Sequence, residues 1–174
     1  MSKPCVFFDR DGIVNRAPVE TRYVERLADF QLLPGFVDAL RVVREKGYEA
    51  IIVTNQKGVG TGQMTMRALQ EIHDNLVNEL RKKDLGLLDI LVSTDTHDGA
   101  PRRKPNPGML LEAAEKHGID LKRSWMVGDN RKDVEAGRRA GCKTVFVGSG
   151  TGPVGADYEV ESVSHLADLL RKHL

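Results

Sequence analysis

Short apolar runs, each ending in a charged or glycine-containing turn, alternate with amphipathic segments along the chain. This alternation constrains the fold more than any other feature. Val6-Phe7-Phe8, Tyr48 to Val53, Leu88 to Val92, Trp125-Met126-Val127 and Thr144 to Val147 are short runs bounded by turn signals and read as strands. Between them the apolar positions fall at helical spacing. Pro34-Gly35 opens a helix with Phe36, Val37, Leu40 and Val43 on one face, closed by Gly47. Thr65 suits the N-cap of the longest helix, with Leu69, Ile72, Leu76, Val77 and Leu80 facing inward. Further helices are expected over 108–118 and 130–140, and Ser164 is placed to cap a last one carrying Leu166, Leu169 and Leu170. Strands alternating with helices define an α/β fold, a three-layer αβα, Rossmann-like parallel sheet. At 174 residues the chain fits one domain, 1–174.

In such sheets ligands bind beyond the carboxyl ends of the strands, and polar residues cluster there. Asp9 and Asp11 end the first strand, Thr54 the second and Asp129 the fourth, with Asp133 close behind; Lys104 lies in the loop after the third. A single aspartate at a strand end is ordinarily a cap or turn residue. Several converging carboxylates repel one another unless a cation neutralises them, and their all-oxygen character selects a hard ion such as Mg²⁺. A lysine and a threonine hydroxyl beside that cation suit a tetrahedral anion, so the residue types point to phosphate chemistry.

Asp9-Arg10-Asp11-Gly12-Ile13-Val14-Asn15 resembles the first motif of the haloacid dehalogenase (HAD) superfamily. Val53 to Gln56 resembles its second motif, Arg103-Lys104-Pro105 its third, and Gly128 to Asp133 its fourth, in the superfamily's order. The details are similar to the branch containing heptose bisphosphate and histidinol-phosphate phosphatases. This resemblance implies a HAD-like fold without a large cap domain and a Mg²⁺-dependent phosphatase working through an aspartyl-phosphate. It makes Asp9 the nucleophile and Asp11 the general acid and base. Lys104 and Thr54 would stabilise the phosphoryl group, and Asp9, Asp11 (through its carbonyl) and Asp129 would hold the metal. Asp133 is expected to support the site rather than ligate, and Asn130 is left open. Asn55, Gln56, Arg102 and Arg103 lie where a leaving group would bind. The implied substrate is a small phosphorylated metabolite, first a heptose bisphosphate, then histidinol phosphate, then a nucleic-acid 3′-phosphate; a catalytically silent phospho-ligand module is the non-enzymatic alternative. For its acid role Asp11 needs a raised pKa, with Arg10 pointing away from it on an extended segment.

The balance of 26 Lys+Arg against 25 Asp+Glu gives no global reason to expect nucleic acid as a partner. No apolar stretch is long enough to span a membrane, and Cys5 and Cys142 read as buried thiols of a reducing compartment, so a cytoplasmic protein is expected. Gly150 to Gly155 spells a dinucleotide fingerprint but lacks the βαβ unit that must follow it, and reads as a turn beside the site. His73, His117, His165 and His173 lack metal-ligand spacing and are expected at the surface or at helix ends. Ser93 to Arg103 contains no cysteine and one histidine, His97, so the zinc loop of many relatives in that branch is expected to be missing.

Overall fold

The computed structural model describes residues 1–19, 23–149 and 155–174. Six parallel strands form one sheet: β1 (Cys5–Phe8), β2 (Glu49–Asn55), β3 (Asp89–Ser93), β4 (Trp125–Gly128), β5 (Lys143–Val147) and β6 (Tyr158–Val160). Their order is β3-β2-β1-β4-β5-β6, which reverses between β1 and β4. That reversal opens a crevice at the carboxyl ends of these two strands, the position at which open α/β sheets bind ligands.

Both faces of the sheet are covered because its strands are apolar on both sides. Val6 and Phe8 of β1 face one way, with Ala50 and Ile52 of β2, onto α1 (Pro34–Glu45) and α6 (Leu166–His173). Cys5 and Phe7 face the other way, with Ile51 and Val53, onto α4 (Gly108–His117) and α5 (Arg131–Ala140). Between these helices in sequence lie α2 (Lys57–Gly60), a single helical turn, and α3 (Met66–Arg81). The α3 helix starts where expected, with Thr65 Oγ1 accepting from the Ala68 amide at 3.0 Å. Its Leu76 and Leu80 join the first core, whereas Leu69 and Ile72 pack with Val24 and Met64 under the loop after β1. Cys5 and Cys142 are buried free thiols. No described helix is long and apolar enough to cross a membrane.

Several local expectations are corrected. Val77 is on the exposed side of α3, not the inner one. The sixth strand was not expected; Asp157 anchors it, its carboxylate accepting from both the amide and the hydroxyl of Thr144 on β5. Ser164 does not cap the last helix, because a 3₁₀ turn over Val163–His165 intervenes and α6 starts at Leu166. His73 is neither at the surface nor at a helix end: it is buried in the middle of α3. The turn expected over 150–155 lies outside the described residues apart from Gly155.

Candidate active site

The paired ends of β1 and β4 place the first carboxylates. Phe8 is in register with Val127, and the Asp9 amide continues the ladder by donating to the Val127 carbonyl at 2.9 Å. Asp9 and Asp129 therefore emerge side by side, one residue beyond their strands. Asp133 follows on the first turn of α5, where its Oδ2 accepts from the Asn130 amide at 3.1 Å while Asn130 Oδ1 accepts from the Lys132 amide. This reciprocal cap fixes the direction of the Asp133 side chain. Gly128 makes room for it, since a Cβ there would stand 2.2 Å from the Asp133 Cβ.

Lys104 enters from the loop after β3. Asn55, the last residue of β2, holds the Lys104 backbone from both sides: its Nδ2 donates to the Lys104 carbonyl and its Oδ1 accepts from the Lys104 amide, each at 3.0 Å. The side chain is 2% exposed. Its ammonium donates to Asp9 Oδ1 at 2.8 Å, Asp133 Oδ1 at 2.7 Å and the Val53 carbonyl at 2.8 Å, which uses all three protons. Burial lowers the pKa of this lysine, but the Asp133 and Asp9 carboxylates outweigh it and hold the group well above its ordinary value.

One ammonium does not neutralise the cluster. Carboxylate oxygens of Asp9, Asp129 and Asp133 lie within 4.8 Å of one another. Burial, then the neighbouring Asp133 charge, raises the pKa of Asp9 well above the usual carboxylate range, and the same two causes push Asp129 up to about 6. Carboxylates so destabilised in their charged form fit a hard divalent cation. Both Asp133 oxygens are already engaged, by Lys104 and by the Asn130 amide. Asp133 thus orients the lysine, and Asp9 and Asp129 are the carboxylates with room for a metal.

Gly12 closes the other side of Asp129. Its φ of +90° is open to glycine, and a Cβ there would stand 1.9 Å from Asp129 Oδ2. Gly12→Ala is expected to displace the Asp129 carboxylate and weaken Mg²⁺ binding at least about tenfold. Isothermal titration of Mg²⁺ into the two proteins checks this, and equal affinities would refute it.

Asp11 is held apart from the cluster. Its Oδ1 accepts from Arg10 Nε at 3.2 Å, Arg10 Nη2 at 2.9 Å and Asn15 Nδ2 at 2.9 Å, and its Oδ2 accepts from Gln56 Nε2 at 3.1 Å. Burial raises the Asp11 pKa, but the Arg10 charge and these hydrogen bonds outweigh it and hold the group below its ordinary value. Two expectations are thereby corrected. Arg10 folds back onto Asp11 instead of pointing away, and the resting Asp11 is stabilised as a carboxylate, the base form.

Asp9, Asp11, Asn55, Arg103, Lys104 and Asp129 line a cavity of about 280 Å³, together with Tyr23, Lys57, Asn130, Lys132 and Asp133. No motif marks Tyr23 or Lys57, although Lys57 directly follows Gln56; Lys132 lies within the fourth motif, Gly128 to Asp133, but the resemblance gives it no role there. Arg103 is held at the cavity by Asp98 at 3.0 Å, and Lys132 reaches the same carboxylate at 3.2 Å. Arg102 does not line the cavity; its guanidinium donates to Glu112 on α4 and to the Val92 carbonyl on β3. Gln56 is fully buried behind the site, where its amide donates to both Asp11 and Thr54. The Thr54 hydroxyl is oriented by that bond at the end of β2.

A parallel sheet with a buried lysine and aspartates at its switch point defines a HAD-type hydrolase, and comparison with known proteins agrees. A family model described as HAD-hydrolase-like matches residues 101–172. A protein of Photorhabdus laumondii named D-glycero-alpha-D-manno-heptose-1,7-bisphosphate 7-phosphatase is 37% identical over 149 residues, 81% of this chain and 80% of its own length. A Yersinia pestis protein with the corresponding beta-anomer name is 35% identical over 97% of this chain and 94% of its own. The crystal structure of D,D-heptose 1,7-bisphosphate phosphatase from B. bronchiseptica, complexed with magnesium and phosphate, superposes with a TM-score of 0.87 at 26% identity, covering 98% of this chain and 99% of that one. The chain belongs to the HAD phosphatase family that contains these heptose bisphosphate phosphatases.

Proposed function

We propose that this protein is a Mg²⁺-dependent phosphatase that removes the 7-phosphate of D-glycero-D-manno-heptose 1,7-bisphosphate. The observation that carries the reading is the Asp9 carboxylate, with one oxygen bound by buried Lys104 and its neighbour Asp129 within metal-sharing distance. The site belongs to one domain spanning the chain, acting in the cytoplasm on a small phosphorylated sugar. Asp9, Asp129 and the Asp11 carbonyl would hold Mg²⁺, which would supply positive charge to offset the negative charge of the phosphoryl group and the carboxylates.

The chain's own residues supply the rest. Lys104 fixes one Asp9 oxygen, leaving the other to attack phosphorus in line. Asp11, a carboxylate at rest, takes the proton that the phosphate monoester carries in as its monoanion, and gives it to the sugar oxygen as the bond from phosphorus to that oxygen breaks. Water then attacks the aspartyl-phosphate, Asp11 takes the water proton, and the bond from phosphorus to Asp9 breaks, releasing inorganic phosphate. Lys104 and the Thr54 hydroxyl stabilise the phosphoryl oxygens in both steps. Oδ1 of Asp11 already accepts three hydrogen bonds, so the travelling proton resides on Oδ2.

Arg103, Lys132 and Lys57 give the cavity a cationic rim suited to a second phosphate. The same rim disfavours histidinol phosphate, whose amine would approach like charge. The test is phosphate release from both C1 anomers of the heptose bisphosphate, from histidinol phosphate and from a 3′-phosphorylated oligonucleotide, with Mg²⁺ and with chelator. The expected result is a heptose bisphosphate preference abolished by chelation, in protein carrying far less than one zinc per chain. Preference for another substrate, chelator-resistant turnover or stoichiometric zinc would each overturn the corresponding part of the reading.

A further inference from the structure

Arg10 is the largest fully buried side chain among the described residues, and the reaction as described gives it no direct step. Its guanidinium bridges two distant segments. One edge, Nε and Nη2, meets Asp11 Oδ1, and the far nitrogen, Nη1, lies 3.1 Å from Nε2 of His73 on α3. A guanidinium has donors only, so His73 Nε2 is the acceptor and the ring is the neutral tautomer with its proton on Nδ1. Burial, reinforced by the Arg10 charge, agrees with this by lowering the His73 pKa to about 4.

We infer that His73 is a positioning residue for proton transfer at this site, acting through Arg10. Anchored at Nη1, the guanidinium cannot turn, and its other edge stays on Oδ1 of Asp11. Two of the three donors on Oδ1 therefore depend on His73. With those donors in place, the proton that Asp11 gives to the leaving oxygen is confined to Oδ2. Without the imidazole acceptor, Nη1 is left unpaired in the core, and the guanidinium reorients to satisfy it. Asp11 then loses its fixed rotamer and the distinction between its two oxygens.

This inference rests on the phosphatase reading, and its test separates the two. An alkyl phosphate such as a sugar phosphate needs its leaving oxygen protonated; p-nitrophenyl phosphate, which leaves as a stable phenolate, does not. Because kcat/KM reports only the steps through formation of the aspartyl-phosphate, the ratio of alkyl to aryl kcat/KM isolates the acid function. His73→Leu, which removes the acceptor, is expected to lower kcat/KM on the sugar phosphate by about 10- to 100-fold. On the aryl phosphate the loss is expected to stay below about threefold. His73→Gln, which keeps an acceptor, is expected to recover most of the loss. If His73→Leu folds poorly, His73→Met carries the same expectation. Equal losses on both substrates, or no loss on either, would overturn the positioning role. A wild-type protein inactive on both would overturn the phosphatase reading itself.

Discussion

Asp9→Asn is expected to lower turnover by roughly 10⁴-fold or more while leaving the fold intact, because it removes the atom that bonds to phosphorus without changing the shape of the residue. The asparagine keeps one oxygen to accept from Lys104 and turns its amide nitrogen toward Asp129, replacing repulsion by a hydrogen bond. In metal-free buffer the variant should therefore melt no lower than the wild type, since ionised Asp9 is disfavoured by burial and by the Asp133 and Asp129 charges. Acid-quenched wild type incubated with substrate should carry the mass of one added phosphoryl group, and the variant should not. Turnover within about tenfold of wild type would remove Asp9 from the nucleophile role.

The positions of Asp9 and Asp129 are legible in the sequence because each depends on a local signal, an apolar run and its end. Lys104, well beyond the end of β3, is instead singled out by the likeness of Arg103-Lys104-Pro105 to the third HAD motif. Their convergence then follows from the strand order of a parallel sheet. The environment of Asp11 is not legible in the same way. Asn15 and Gln56 reach it from separate segments, and Arg10 folds back because a buried acceptor, His73, waits 63 positions away. Alternation along an extended segment predicts Arg10 on the opposite side, but the residues after Phe8 leave the strand into a tight turn closed by Arg10 carbonyl bonds to the Ile13 and Val14 amides. His73 carries no local mark of its role, since a histidine within an amphipathic helix looks like any polar position. The apolar-run signal also fails at β6, where half-buried Tyr158 and Val160 flank exposed Glu159 and the segment is held by its ladder to β5 and by the Asp157 clamp.

Lys104→Met tests the other half of the site, and it should damage stability as well as chemistry. The almost fully buried ammonium satisfies two carboxylates and the Val53 carbonyl, all at 2.8 Å or less. Removing one partner of a buried ion pair leaves the other unpaired, at a typical cost of about 3–5 kcal/mol. Turnover should fall at least about 10²-fold, because the phosphoryl charge loses its fixed cation. Arginine is not a conservative replacement, since its planar fork does not match three convergent acceptors around one nitrogen. The two effects can be separated with Lys104→Met/Asp133→Asn. Neutralising Asp133 removes the stranded charge and keeps an oxygen for the Asn130 amide, so denaturant unfolding should show much of the lost stability restored. Turnover should not recover, because no cation faces the phosphoryl group. Recovery of activity along with stability would mean that Lys104 serves only to neutralise Asp133, and that the electrostatic part of catalysis lies elsewhere in the site.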